Sequence, residues 1–128
     1  MSKLTASLED YLEVICNYTN STQKVRAIDI SKELNVSRAS VTEALKKLAL
    51  KGYITYGRYD DITLTEQGYK TAQSVISKHN VLQIFFEKIL NLSPEEASLN
   101  ACKIEHVITE NAFQKISEYI GLKWIFSK

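Results

Sequence analysis

Three residues near the C-terminal end, Cys102, Glu105 and His106 in the stretch NACKIEHVIT (residues 100–109), bring together a thiol, a carboxylate and an imidazole. Their spacing of i, i+3 and i+4 places them on one helical face. Side chains so spaced converge on a single ion. Sulfur, oxygen and nitrogen donors together suit Mn2+, Fe2+, Co2+ or Zn2+ rather than Ca2+ or Mg2+. A plainer reading makes Cys102 a small buried residue and Glu105–His106 a surface pair. Asp10 and Glu13, also i and i+3, add two oxygen donors among apolar positions expected to pack. His79 stands alone ahead of the apolar run VLQIFF; only a fold that gathers three helices would make it a ligand.

A second chemistry is carried by VSRASVTEALKKLAL. On a helical wheel Val41, Leu45 and Leu48 point toward a core, and Ala39, Glu43 and Lys46 point away. Arg38 and Thr42 lie on one flank, Ser40 and Lys47 on the other. Small and polar residues fill the N-terminal half, as a helix entering a DNA major groove requires. Ala39 suits a thymine methyl, and Arg38 suits guanine or phosphate. Ser37, Ser40 and Thr42 are placed to bond phosphates beside the amides of the helix N-terminus. From Arg38 to Arg58 five basic residues (Arg38, Lys46, Lys47, Lys51, Arg58) face one acidic residue, Glu43, in a chain of net charge +1. Total charge is therefore uninformative, and the basic excess is local. The bland alternative is a structural helix with a solvated basic side.

These residues need elements to position them. SLEDYLEVICNYT has helical spacing, with apolar Leu8, Tyr11, Leu12, Val14, Ile15 and Tyr18, and Ser7 with Asp10 as a loose capping box. Cys16, on the same helix but turned away from Asp10, reads as packing. VRAIDISKELN is a short amphipathic helix ended by Asn35. After the three-residue link Asn35–Ser37 comes the reading helix, closed by Gly52. Two short helices so linked are a helix-turn-helix. The period then shifts to two: YITY and ITLT flank the turn GRYDD, a hairpin with Arg58 and Tyr59 at its tip, placed to reach a phosphate or the minor groove. A helix-turn-helix followed directly by a hairpin is a winged helix.

Thr65 and Glu66 begin a long helical region with a possible break near Gly68 or His79. SPEE starts the next helix, with Ser93 as N-cap and Pro94 at the first position. Thr109 caps a last helix that Gly121 is expected to stop, leaving the tail LKWIFSK unassigned. The expected fold is mainly α with a small β-hairpin: residues 1–72 a winged helix-turn-helix, residues 73–128 a helical metal-binding and dimerisation domain. Ile84, Phe85, Phe86 and Phe113 are the apolar residues available to a dimer surface or to the core.

The 128 residues allow one domain or two small ones, and 45% apolar with 24% charged residues is ordinary for a globular protein. Two distant cysteines and an N-terminus without an apolar leader point to a reduced, cytoplasmic protein. No run is long enough to span a membrane. No nucleophile motif or substrate-pocket signature supports a hydrolytic metalloenzyme, so neither catalysis nor a small-molecule substrate is expected.

The order and spacing of SLEDYLEVI, VSRASVTEALKKLALKGYI, LTEQG, KHNVL and ACKIEHVIT resemble the diphtheria-toxin-repressor and manganese-transport-regulator family of metal-dependent repressors. The resemblance runs from about residue 7 to about residue 120. It implies that Asp10, Glu13, His79, Glu105 and His106 match ligands of the manganese-type branch. Cys102 matches the iron-type branch, where the manganese type has a carboxylate. The resemblance thus implies a hybrid site for Mn2+ or Fe2+, with Co2+, Ni2+, Zn2+ or Cd2+ as surrogates. Gln83 and Ser98 stand at positions of an iron-type ancillary site and are poor ligands. Double-stranded operator DNA and a second copy of the chain are the implied partners. A metal bridging the two halves of each protomer would set the separation of two reading helices against half-sites roughly 34–36 Å apart. The competing reading is a metal-independent winged-helix regulator with vestigial ligands.

Overall fold

A computed structural model describes residues 4–57, 59 and 61–127, with side chains through 121. The chain divides into two compact units, Met1–Ser74 and Val75–Lys128.

The first unit comprises α1 (Ala6–Asn20), α2 (Ala27–Leu34), α3 (Arg38–Leu50), β1 (Ile54–Tyr56), β2 (Ile62–Leu64) and the opening turns of α4 (Glu66–Ile84). Its core is the apolar face of each element: Leu12 and Ile15 of α1, Ile30 of α2, and Val41, Leu45 and Leu48 of α3 are fully buried. Stripes at i, i+3 and i+4 on three short helices cover one another, so burial rather than intrinsic propensity stabilises helices this short. α1 begins two residues earlier than the Ser7 box implies. Thr5 is the N-cap, and its hydroxyl accepts from the Leu8 amide at 3.2 Å. Ser7 is already helical.

α2 ends where Asn35 turns left-handed, at φ 54° and ψ 51°, a conformation Asn tolerates. Ser31 donates to the Val36 carbonyl across this turn at 2.6 Å. Ser37 then caps α3, accepting from the Ser40 amide at 3.1 Å. Gly52, at φ 87°, closes α3 as the sequence implies. The strands pair antiparallel with Ile54 opposite Leu64 and Tyr56 opposite Ile62. Ile54 and Ile62 are buried, fixing the register by putting one face of the hairpin into the core.

At the root of the hairpin, Thr65 donates its hydroxyl to the Gly52 carbonyl at 2.7 Å and accepts from the Gly68 amide at 3.0 Å. The Thr65 amide donates to the Tyr53 carbonyl at 3.1 Å. Gly68 is no helix break. It sits inside α4, where a Cβ would collide with the Tyr53 carbonyl oxygen.

The second unit holds the rest of α4, a π-helical turn (Phe85–Ile89), α5 (Pro94–Ile104) and α6 (Glu110–Ser127). α4 passes through His79 unbroken, and regular geometry yields only at the π turn. There the rings of Phe85 and Phe86 meet edge to face, 5.6 Å apart. Ser93 caps α5 by accepting from the Glu96 amide, with Pro94 at the first helical position, as expected. Ala97 and Ala101, one turn apart and fully buried, let α5 pack closely. Thr109 caps α6 at 3.2 Å. α6 continues through Gly121 to Ser127, against the expectation that Gly121 stops it. A helical glycine costs only about 1 kcal/mol relative to alanine, and the residues that follow include no proline. No helix among the described residues is long and apolar enough to cross a membrane.

Candidate metal centre and reading helix

In the second unit, α4 carries His79 and the last turn of α5 carries Cys102. α5 ends at Ile104. Glu105 caps it in helical geometry, φ −55° and ψ −29°, its amide still donating to the Ala101 carbonyl at 2.9 Å. His106 belongs to the turn beyond. The triplet read as one helical face therefore starts in a helix and finishes outside it, which frees the His106 backbone from helical direction.

Ligand atoms of His79, Cys102 and Glu105 lie within 4.8 Å of one another. His79 Nδ1 is 2.7 Å from Glu105 Oε1, and His106 Nε2 is 3.6 Å from Glu105 Oε2. Glu105 is 2% exposed, whereas Cys102 is open to solvent. A carboxylate buried this deeply requires a cation or strong donors beside it. The His79 ring nitrogen is within hydrogen-bond distance of one of its oxygens, and a divalent ion would satisfy the same carboxylate. Soft sulfur, borderline nitrogen and hard oxygen in one cluster fit a first-row divalent transition metal.

Asp10 and Glu13 sit one turn apart on α1 in the first unit, both half-buried. Cys16, farther along α1, is fully buried. Its sulfur accepts from Asn20 Nδ2 at 3.7 Å, and burial pushes the thiol pKa up despite that hydrogen bond, with Glu13 adding to the rise. Cys16 is packing, as its position on the helix implies.

On α3 the side chains of Ser37, Arg38, Ala39, Ser40, Glu43, Lys46 and Lys47 are all exposed. Thr42 is half-buried and donates its hydroxyl proton to the Arg38 carbonyl at 3.1 Å, which leaves it able only to accept. Ser37 likewise spends its proton on Ser40 Oγ, at 3.0 Å. Lys47 is 3.4 Å from Glu43. Tyr59 is 93% exposed at φ 62°; Arg58 lies outside the described residues. The sequence reading overlooked Lys24, whose ammonium pairs with Asp61 beside the hairpin turn at 3.0 Å. No spacing rule couples positions 24 and 61, so only the fold reveals that pair.

Two family models match: "iron dependent repressor, N-terminal DNA binding domain" over residues 3–62, and "iron dependent repressor, metal binding and dimerisation domain" over residues 65–122. An HTH-type transcriptional regulator from Methanocaldococcus jannaschii is 33% identical over 118 residues, covering 91% of this chain and 94% of its own length. The HTH-type transcriptional regulator MntR of Oceanobacillus iheyensis is 31% identical, with 91% of this chain and 79% of that protein covered. The solved manganese regulator SloR superposes with a TM-score of 0.82 at 25% identity over 92% of this chain. This chain spans 55% of SloR's length.

Proposed function

Because the chain belongs to the iron-dependent repressor family, that of the diphtheria-toxin repressor and the manganese-transport regulators, we propose that it senses Mn2+ or Fe2+ and represses metal-uptake genes. It is a metal-dependent transcriptional repressor of that type.

The observation that carries the metal reading is the meeting of His79, Cys102 and Glu105 around one point, in the part of the chain matched by the metal-binding and dimerisation model. His106 is the neighbouring nitrogen donor. The family resemblance supplies Asp10 and Glu13 as further oxygen ligands. A bound ion would offset the charge of the buried Glu105 carboxylate. Cys102 pulls the preference toward softer, later metals, and the carboxylates keep Mn2+ acceptable.

The exposed face of α3 is the DNA reader, with Arg38, Ala39, Ser40, Glu43, Lys46 and Lys47 toward the groove and Ser37, Thr42 and Tyr59 beside them; Arg58 is a further contact proposed from its position in the sequence alone. Metal need contribute only about 1–3 kcal/mol of coupling to change operator affinity by one to two orders of magnitude. A homodimer presents two such readers to a two-fold operator.

The test is a titration of operator binding by Mn2+ and by Fe2+ under anaerobic conditions, with a chelator control. Tight binding with metal and weak binding with chelator are expected. Equal affinity in both would leave a metal-independent regulator with vestigial ligands.

A further inference from the structure

Glu43 is the only carboxylate on α3. Its side chain is 73% exposed, and Oε1 lies 3.4 Å from Lys47 Nζ. It lines a groove of about 570 Å³ between α1, which contributes Ser7, Leu8, Tyr11 and the cap residue Thr5, and α3, which contributes Ser40, Ala44, Lys47 and the cap residue Lys51. Above the apolar Leu8, Tyr11 and Ala44, and apart from Glu43, its polar rim is made of the hydroxyls of Thr5, Ser7 and Ser40 and the ammonium groups of Lys47 and Lys51, which suit a polyanion. A carboxylate among them is repelled by every DNA phosphate and competes for Lys47, so it weakens binding to any sequence. That penalty is offset only where a base offers the carboxylate a donor. In the major groove the donor that carboxylates read is the N4 amino group of cytosine.

We propose that Glu43 sets the sequence specificity of this repressor. It accepts a hydrogen bond from a cytosine N4 in each operator half-site, and its charge lowers affinity for DNA that lacks that cytosine. The proposal rests on the reading of α3 as the DNA reader. It adds discrimination by exclusion to a face otherwise built for indiscriminate attraction.

The experiment uses the full chain loaded with Mn2+, the wild type compared with E43A and E43D. Each protein selects from a random duplex library. It is then titrated with the selected site, with that site altered at the cytosine, and with a scrambled duplex over a salt series. The wild type is expected to select one cytosine per half-site and to lose roughly ten- to a hundredfold in affinity when that base is changed. E43A should lose that discrimination and bind scrambled DNA several-fold more tightly, its plot of log affinity against log salt steeper by up to about one. E43D keeps the charge on a shorter stem; it should lose the cytosine preference yet still bind scrambled DNA weakly. The proposal is overturned if E43A selects the same motif with undiminished discrimination, or if E43A binds scrambled DNA no more tightly than the wild type. A wild type that selects a motif indifferent to the cytosine overturns it while sparing the DNA-reader assignment; a wild type that selects no motif overturns both.

Discussion

Two cysteines of one chain sit in opposite environments, and their reactivities should separate accordingly. Cys16 is fully buried with its pKa raised by burial; Cys102 is exposed beside His79 and Glu105. In metal-free protein, iodoacetamide at pH 8 should label Cys102 and spare Cys16 until denaturant is added, as peptide mass spectrometry would show. A raised folded-state pKa means the native state holds its thiol proton longer than the unfolded chain. The Cys16 contribution is thus complete at neutral pH and fades as pH rises past the range where ordinary thiols ionise. Adding Mn2+ or Fe2+ should slow labelling of Cys102. Cys102→Ala should keep the circular dichroism spectrum and shift metal selectivity toward Mn2+; unchanged selectivity would remove the thiol from the site. The residue types at 102, 105 and 106 were legible as ligands because few residues bond metals and their spacing fits a helix. The partnership of His79 with Glu105 was not legible from spacing, since it depends on how α4 and α5 pack, twenty-six positions apart.

Among the elements, the helix-turn-helix and the wing were readable because each is written in local signals: Asn35 at a left-handed turn, Ser37 as a cap, Gly52 after the reading helix, and alternation across Ile54–Leu64. Both glycine signals misled, for different reasons: one has a tertiary cause and the other is merely too weak to end a helix. Gly68 resembled a helix breaker, yet it is a contact glycine demanded by the Tyr53 carbonyl. Gly121 resembled a stop and is passed through. Gly68→Ala should therefore destabilise the protein by about 1–3 kcal/mol in urea unfolding, from the collision of the new methyl with backbone. Helix propensity alone would make the same change stabilising by about 1 kcal/mol. The sign of the measured change decides between the two readings.

For the molecule as a whole, a formal charge of +1 gives almost no long-range pull toward DNA. With α3 proposed as the DNA reader, that attraction falls to the lysines and arginines on and around it. Lys46→Ala should thus weaken binding to all sequences about equally and reduce the salt slope by about one, measured by fluorescence titration from low to physiological salt. The Thr65 hydroxyl has a reach beyond its size. One oxygen fastens the end of the reading helix, through Gly52, to the start of α4, through Gly68, while its own amide holds Tyr53. The wing is steadied from below, at its root rather than at its tip. Thr65→Val, isosteric and remote from any phosphate, should speed hydrogen exchange of amides 53–64 and loosen DNA binding several-fold, because a finger with a slack knuckle points nowhere in particular.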